Sequence, residues 1–273
     1  MSLIFKEKGH HYESIDPNEK INWTSVTSVI SSFKEPFDPR QAEKSAKNKK
    51  SKWYGKDPKE IKKIWENESN RAMSLGTFYH NQRETDLIDL DTLTIDGHAL
   101  PVIPPKIIDD LKYAPEQELI PGIYPEHFVY LKSASICGQA DYVEIINGYV
   151  NIVDYKTNKE IKKRSWKNWE GIYKMLFAPL KHIEDCHLNH YALQLSLYMY
   201  MILKHNPKLK PGKLQIQHVI FEKASDDENG YPVTKYQENG DPIVKEIVPY
   251  ELSYLKSEVL TIIKYLKNNG KII

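Results

Sequence analysis

Apolar and polar positions along the chain change period as it proceeds. After Thr24 or Ser25, Val26, Val29, Ile30 and Phe33 recur at helical spacing, and Pro36 and Pro39 interrupt them. A further helix is expected from about Ser69 to Leu90, carrying Gly76-Thr77-Phe78-Tyr79-His80-Asn81-Gln82-Arg83-Glu84, so residues 22–95 read as a helical N-terminal part. From Glu126 the period falls to two. His127–Leu131, Gln139–Ile146 and Tyr149–Tyr155 read as strands, and Asn147-Gly148 between the last two is the strongest short hairpin signal. There follow an aromatic-rich helix over 188–204 and a strand over Lys213–Phe221. A polar excursion over Asp226–Asp241, a short strand near Ile243–Val248 and a last helix from about Tyr250 to Lys267 end the pattern. Helices and strands mix without regular alternation, which predicts an α+β (mixed α/β) fold with a central mixed sheet flanked by helices rather than a barrel.

The hairpin also fixes a register. If Asn147 and Gly148 are the two loop residues, Ile146 faces Tyr149, Ile145 faces Val150, and Asp141 faces Asp154. Directly opposed side chains start roughly 4.5–5.5 Å apart, and like charges there are destabilising. Alternation turns Lys156 the same way as Asp154, with Val143, Ile145, Val150 and Ile152 on that face nearer the turn. Two carboxylates at the edge of a core share a proton or hold a cation, and hard oxygen donors suit Mg²⁺ or Mn²⁺. On geometry alone, a one-residue slip, or Lys156 bridging one aspartate as an ordinary ion pair, accounts for the same residues. If the pair holds a metal, removing either aspartate should relieve repulsion in the metal-free protein and leave the fold intact.

Composition narrows the class. The chain has 273 residues, 40% hydrophobic and 27% charged, ordinary globular values that suit one domain over 1–273. No apolar run approaches the roughly 20 residues of a membrane helix. Met1-Ser2-Leu3-Ile4-Phe5-Lys6-Glu7 turns charged too early for a signal peptide, so a soluble, cytoplasmic protein without membrane association is expected. Cys137 and Cys186 are too few for a disulfide scaffold or a four-cysteine cluster. His182, Cys186, His187 and His190 crowd one stretch at irregular intervals, which reads as a polar helix start rather than a zinc site.

Lys+Arg at 38 against Asp+Glu at 37 gives a net charge of +1, which at first argues against a polyanionic partner. The total averages opposed regions. Residues 41–63 hold nine lysines and three acids, a local +6, with Trp53 and Tyr54 among them, and suit a solvated face or a phosphate-contacting arm equally. Only four of the cations are arginine, so phosphate contact without base readout, little sequence specificity and strong salt dependence are expected. Trp166 and Trp169 lie beside Lys162, Lys163, Arg164 and Lys167, and suit packing or stacking on unpaired bases.

Gly138-Gln139-Ala140-Asp141, followed by Asp154-Tyr155-Lys156-Thr157 with the second acid 13 positions after the first, resembles the G-x-x-D…(D/E)-x-K core of the PD-(D/E)xK nuclease superfamily. Four further elements occur in family order. Ser25-Val26-Thr27-Ser28-Val29-Ile30 resembles its N-terminal S-V-T-x-x-I helix; Gly76 to His80, with Glu84, resembles its G-x-x-x-H helix. Glu126 stands where the family often has a glutamate, and Gln194-Leu195-Ser196-Leu197-Tyr198 is similar to its Q-x-x-x-Y helix. The match is nearest to the RecB-type exonuclease branch, which includes mitochondrial genome maintenance exonuclease and stand-alone phage exonucleases.

The resemblance implies a restriction-endonuclease-like core over 110–270 and one or two Mg²⁺ or Mn²⁺ ions, with no iron–sulfur cluster. Asp141 and Asp154 would be metal ligands, joined by the Tyr155 carbonyl and by His80 as the imidazole of the RecB-type branch. Glu126 would act through a metal-bound water, Lys156 would orient or deprotonate the attacking water, and Gln194 with Tyr198 would position Lys156 or the scissile strand. The implied activity is a deoxyribonuclease, foremost an exonuclease on DNA ends or single strands in replication, recombination or repair, phage-encoded or with a helicase or recombination partner. A structure-specific endonuclease and a non-catalytic DNA-binding or assembly subunit are the alternatives. Elementary chemistry agrees with the metal: a phosphodiester is an anion attacked by an anion, so cations are the main requirement.

Overall fold

The computed structural model describes residues 3–6, 11–16, 18, 21–108, 111–113 and 117–268; Met1, Ser2 and Glu7 of the charged N-terminus lie outside them. Strands β1 (Leu3–Lys6), β2 (His11–Ser14) and β3 (Thr24–Ser25) lead into helices α1 (Val26–Ser31), α2 (Gln41–Lys47) and α3 (Pro58–Ile88). The short strands β4 (Thr92–Ile95), β5 (His98–Pro101), β6 (Lys106–Ile108) and β7 (Leu111–Tyr113) precede the central β8 (Gly122–Leu131), β9 (Ile136–Ile146) and β10 (Tyr149–Lys156). Then come α4 (His187–His205), β11 (Lys210–Phe221), a small hairpin of β12 (Lys223–Asp226) and β13 (Pro232–Thr234), β14 (Val244–Leu252) and α5 (Lys256–Asn268). The class is the mixed α/β one expected. No helix among the described residues is long and apolar enough to cross a membrane.

Local chemistry sets the helix starts. Ser25 is the N-cap of α1, its Oγ accepting from the Ser28 amide at 3.1 Å. Asp57 caps α3 by accepting from the Lys59 amide at 2.9 Å, with Pro58 at the first helical position. Helix α3 therefore begins well before Ser69. Of its 31 residues only Ile61 and Tyr79 are buried, so hydrophobic periodicity carries no signal for its first half. The Asp226–Asp241 excursion contains most of the β12–β13 hairpin, and β14 continues to Leu252 before α5 begins at Lys256.

Asn147 (φ 52°) and Gly148 (φ 79°) supply the two left-handed residues of a tight hairpin, and β9 pairs with β10 in the expected register from Ile146–Tyr149 to Tyr142–Val153. β11 adds to β10 in parallel, and β14 closes that side antiparallel to β11. β8 follows the other side of β9 from Gly122–Ile145 to Leu131–Ile136. β3 pairs with Ile136 and Cys137 in parallel. Because β8 already holds one edge of β9 there, β3 and β10 must share the opposite edge, and the segment 138–141 lies in the gap between them.

Alternation also breaks at this gap. Ala140 and Val143 on β9, and Tyr124 and Val129 on β8, join one core cluster although strict alternation would send each pair to opposite faces. The break centres on Glu126, a non-glycine residue with φ 46° that the β8–β9 pairing skips between Pro125–Tyr142 and His127–Ala140. Helices α1, α4 and α5 pack with Val143, Ile145 and Ile152 in the main core, whereas Tyr79 of α3 packs with Tyr155 and Val219 in a separate cluster.

Gly138 is required by this packing. A Cβ built there would stand 2.5 Å from Cε1 of the buried Tyr198. Gly138→Ala should therefore cost about 1–3 kcal/mol in urea unfolding, and the cost should shrink in a Tyr198→Leu background; equal cost in both backgrounds would show that the two residues do not compete for space.

Candidate active site

Four elements meet where the sheet splits. β8 brings Glu126, β9 Asp141, β10 the run Asp154-Tyr155-Lys156, and α3 His80. Glu126 falls between the Pro125–Tyr142 and His127–Ala140 pairs, and Asp154 follows the last β9–β10 pair, Tyr142–Val153, so continuing both registers would put Glu126, Asp141 and Asp154 in one row. The ladder between β9 and β10 ends one step before that row would be completed, and the Asp141 carboxylate takes over: its Oδ2 accepts from the Tyr155 amide at 2.7 Å. Helix α3 can approach because Gly76 leaves room; a Cβ there would lie 3.1 Å from Thr157 Oγ1, just past the end of β10.

The charged groups sort into two sets. In the first, His80 Nδ1 lies 3.4 Å from Asp141 Oδ2 and 3.9 Å from Glu126 Oε1, and its Nε2 contacts the Tyr155 carbonyl at 3.1 Å. One donor atom each from His80, Glu126 and Asp141 falls within 4.8 Å of the others, the one such metal-holding group among the described residues. In the second, Asp154 is ion-paired with Lys156 through Oδ2 and accepts at Oδ1 from Gln194 Nε2 at 3.3 Å. The same Gln194 amide is 3.2 Å from the Tyr198 hydroxyl. All eight residues singled out from the sequence thus lie in one connected region, but Asp154 is engaged by Lys156 and Gln194 rather than by the His80 group.

Asp141 and Asp154 are therefore not equivalent. Burial raises the Asp141 carboxyl, but His80, Lys156 and the Tyr155 amide outweigh it and hold the group below the usual range. Burial and the facing Asp141 raise Asp154 to about 6 against the pull of Lys156. Burial, opposed by the His80 hydrogen bond but reinforced by Asp141, lifts Glu126 to about 7. His80 is raised to about 10, because Asp141 and Glu126 overcome the burial that opposes its charge. Lys156 holds its proton more tightly than a free lysine: burial works against the charge, and Asp154 and Asp141 prevail. Removing Asp154 would leave a buried ammonium short of its partner, and removing Asp141 would leave the Tyr155 amide and the His80 imidazole short of theirs, so the expectation that either aspartate can be lost without harm to the metal-free fold does not hold.

The buried Asp141, the partly buried Glu126, the His80 imidazole and the Tyr155 carbonyl make a donor set that fits a divalent cation. Sequence reasoning passed over Tyr191. Its ring lies 5.2 Å from Lys156 Nζ and its hydroxyl donates to Asn158 Oδ1 at 2.7 Å. A position three residues before Gln194 on the same helix was the available signal. The histidines near the start of α4 have separate partners, His190 on Asp185 at 2.9 Å and His182 on Glu258 at 3.4 Å. Trp166 and Trp169 are exposed, at 62% and 91%, which leaves little of either ring packed.

Residues 111–266 match the family model described as the PD-(D/E)XK nuclease superfamily. The matched stretch holds every residue named above except those of α3. No curated protein is a match to the chain.

The shifts predict an unusual pH profile without metal. Glu126 and Asp154 carry raised pKa values, so the folded state binds extra protons and loses stability as pH rises from about 4 to about 7. His80 has the same sign: its stabilisation is complete below about 6.5 and disappears as pH rises through about 10. The buried His127 and the partly buried His190, lowered to about 3 and about 4, act in the opposite sense below about pH 6.5, so in EDTA the urea midpoint should fall chiefly from about pH 7 to pH 9, and the midpoint of wild type relative to Glu126→Gln should fall as pH rises from about 5 to about 8. A relative midpoint that rises over that range would contradict the coupled cluster.

Proposed function

The chain belongs to the PD-(D/E)XK nuclease superfamily, and from that premise we propose that it hydrolyses DNA phosphodiesters with Mg²⁺ or Mn²⁺, as an exonuclease on DNA ends or single strands. The observation that carries the reading is the convergence of His80, Glu126 and Asp141 beside the Asp154–Lys156 pair. In this proposal His80, Asp141, the Tyr155 carbonyl and Asp154 hold the cation, with Glu126 at its rim. When bound, the cation lowers the pKa of water and neutralises charge on the phosphate.

The chain's own residues then have separable tasks. Lys156 is held as an ammonium by two aspartates, so it donates to the attacking water and offsets charge on the phosphorus rather than removing a proton. Gln194 donates to the Asp154 carboxylate that in turn holds Lys156, and the Tyr198 hydroxyl meets the same Gln194 amide, which makes both positioning residues. Delivery of an imidazole from the long α3 supports placement in the RecB-type branch. The three helices within 22–95 supply that part, with the core over 110–270 carrying the carboxylates and Lys156. Surface charge supports a DNA backbone as partner. Lys47, Lys49, Lys50, Lys59, Lys62 and Lys63 are exposed and have no ion-pair partner among the described residues, whereas Lys52 and Lys56 lie over the Trp53 ring.

With Mg²⁺ or Mn²⁺ and linear DNA, wild type should release nucleotides while Lys156→Ala and Asp141→Asn lose several orders of magnitude in rate. Equal release by wild type and Lys156→Ala would end the assignment. A covalently closed circle should survive; its cleavage would favour a structure-specific endonuclease.

A further inference from the structure

Next to the candidate active site, α3, the residues just past β10 and the β12–β13 hairpin enclose a cleft of about 600 Å³. That volume lies in the range of small-molecule sites. Its near end is Thr157-Asn158-Lys159, directly after Lys156, and Asn158 is tied through Tyr191 to the Lys156 ammonium. Its far wall is fixed. Lys52 donates to the Asn229 carbonyl at 2.8 Å, the Trp53 and Tyr231 rings lie 6.5 Å apart, and Arg71 reaches Thr234 Oγ1 at 3.5 Å.

The lining has two characters. Leu75, Val219, Phe221, Pro232 and Val233 give it apolar surface. Most of its charges cancel locally: Arg71 grips Glu68 at 2.7 Å, Lys223 pairs with Asp226 at 2.5 Å, and Glu222 pairs with Lys235 at 2.8 Å. Lys159 is the exception, with no ion-pair partner among the described residues. An apolar wall with one uncompensated cation at the end nearest Lys156 fits a flat base attached to a single phosphate.

We propose that this cleft binds one nucleoside monophosphate unit, the base against Phe221, Pro232 and Val233 and the phosphate at Lys159. Resting on the nuclease reading, this unit is the nucleotide adjoining the scissile phosphate of a DNA strand. A cleft of one-nucleotide capacity that begins at the residues just after Lys156 selects frayed or single-stranded ends, since a base must leave its duplex partner to enter.

The test is calorimetric titration of the metal-free protein, in EDTA, with thymidine monophosphate, thymidine and inorganic phosphate. Thymidine monophosphate should bind at millimolar concentration or better, with thymidine and phosphate each weaker by about tenfold or more. Lys159→Ala should weaken the nucleotide by about tenfold, Lys159→Arg should restore it, and Ala72→Trp, an exposed lining position, should block it. Circular dichroism establishes that the variants are folded. Absence of nucleotide binding to wild type, unchanged affinity in Lys159→Ala and Ala72→Trp, or phosphate binding as tightly as the nucleotide would each overturn the proposal. Neither metal nor cleavage enters the titration, so a chain that binds the nucleotide but digests no DNA refutes the nuclease reading and leaves the cleft assigned.

Discussion

The site depends on one hydrogen bond, the Tyr155 amide to the Asp141 carboxylate. In an uninterrupted antiparallel ladder that amide would bond to a backbone carbonyl of β9. Here a side chain replaces the carbonyl, so β10 can part from β9 without leaving a buried donor unpaired. The parting opens the gap at 138–141 and frees the Tyr155 carbonyl to meet His80. It also forces Asp141 to stay ionised: a protonated carboxyl would be a poorer acceptor, and the nearby imidazolium and ammonium charges reinforce the same state. One side chain thus serves the fold and the charge pattern together, and neither can be altered alone.

What surrounds that bond is a graded set of proton affinities. Asp141 lies below the usual carboxylate range while Asp154 and Glu126 lie above it, although the three sit on adjacent strands. The difference comes from partners. Asp141 faces a cation and an amide, Asp154 shares one lysine while confronting Asp141, and Glu126 has one imidazole at 3.9 Å. Such spreading of pKa values among neighbours is common where functional groups cluster, and here it follows from which partner each carboxylate meets.

The legible parts of the sequence were those governed by short-range rules. Asn147-Gly148 determines the β9–β10 register as far as Tyr142–Val153, because a two-residue turn admits one pairing, and the ladder ends before the expected Asp141–Asp154 pair. Ser25 as a cap and the α4 face bearing Gln194 and Tyr198 are local in the same sense. The rest is set by long-range contact. Nothing in a strand pattern announces that Glu126 takes a left-handed backbone, since that conformation depends on its neighbours across the sheet. The start of α3 escaped periodicity because its first half lies on the surface with little buried, and the engagement of Asp154 by Gln194 spans 40 residues of chain. Gly138 reads as a motif letter until Tyr198 is seen to fill the space its side chain would need.

Helix α3 is a single uninterrupted rod of 31 residues, with Lys59, Lys62 and Lys63 near one end and His80 near the other. At 1.5 Å per residue those lysines stand about 30 Å along the axis from the imidazole. With phosphate spacing of about 3.4 Å per step in a duplex strand, that is about nine steps. The rod therefore fixes the separation between its lysine end and His80 by helix geometry, without any loop whose length could drift.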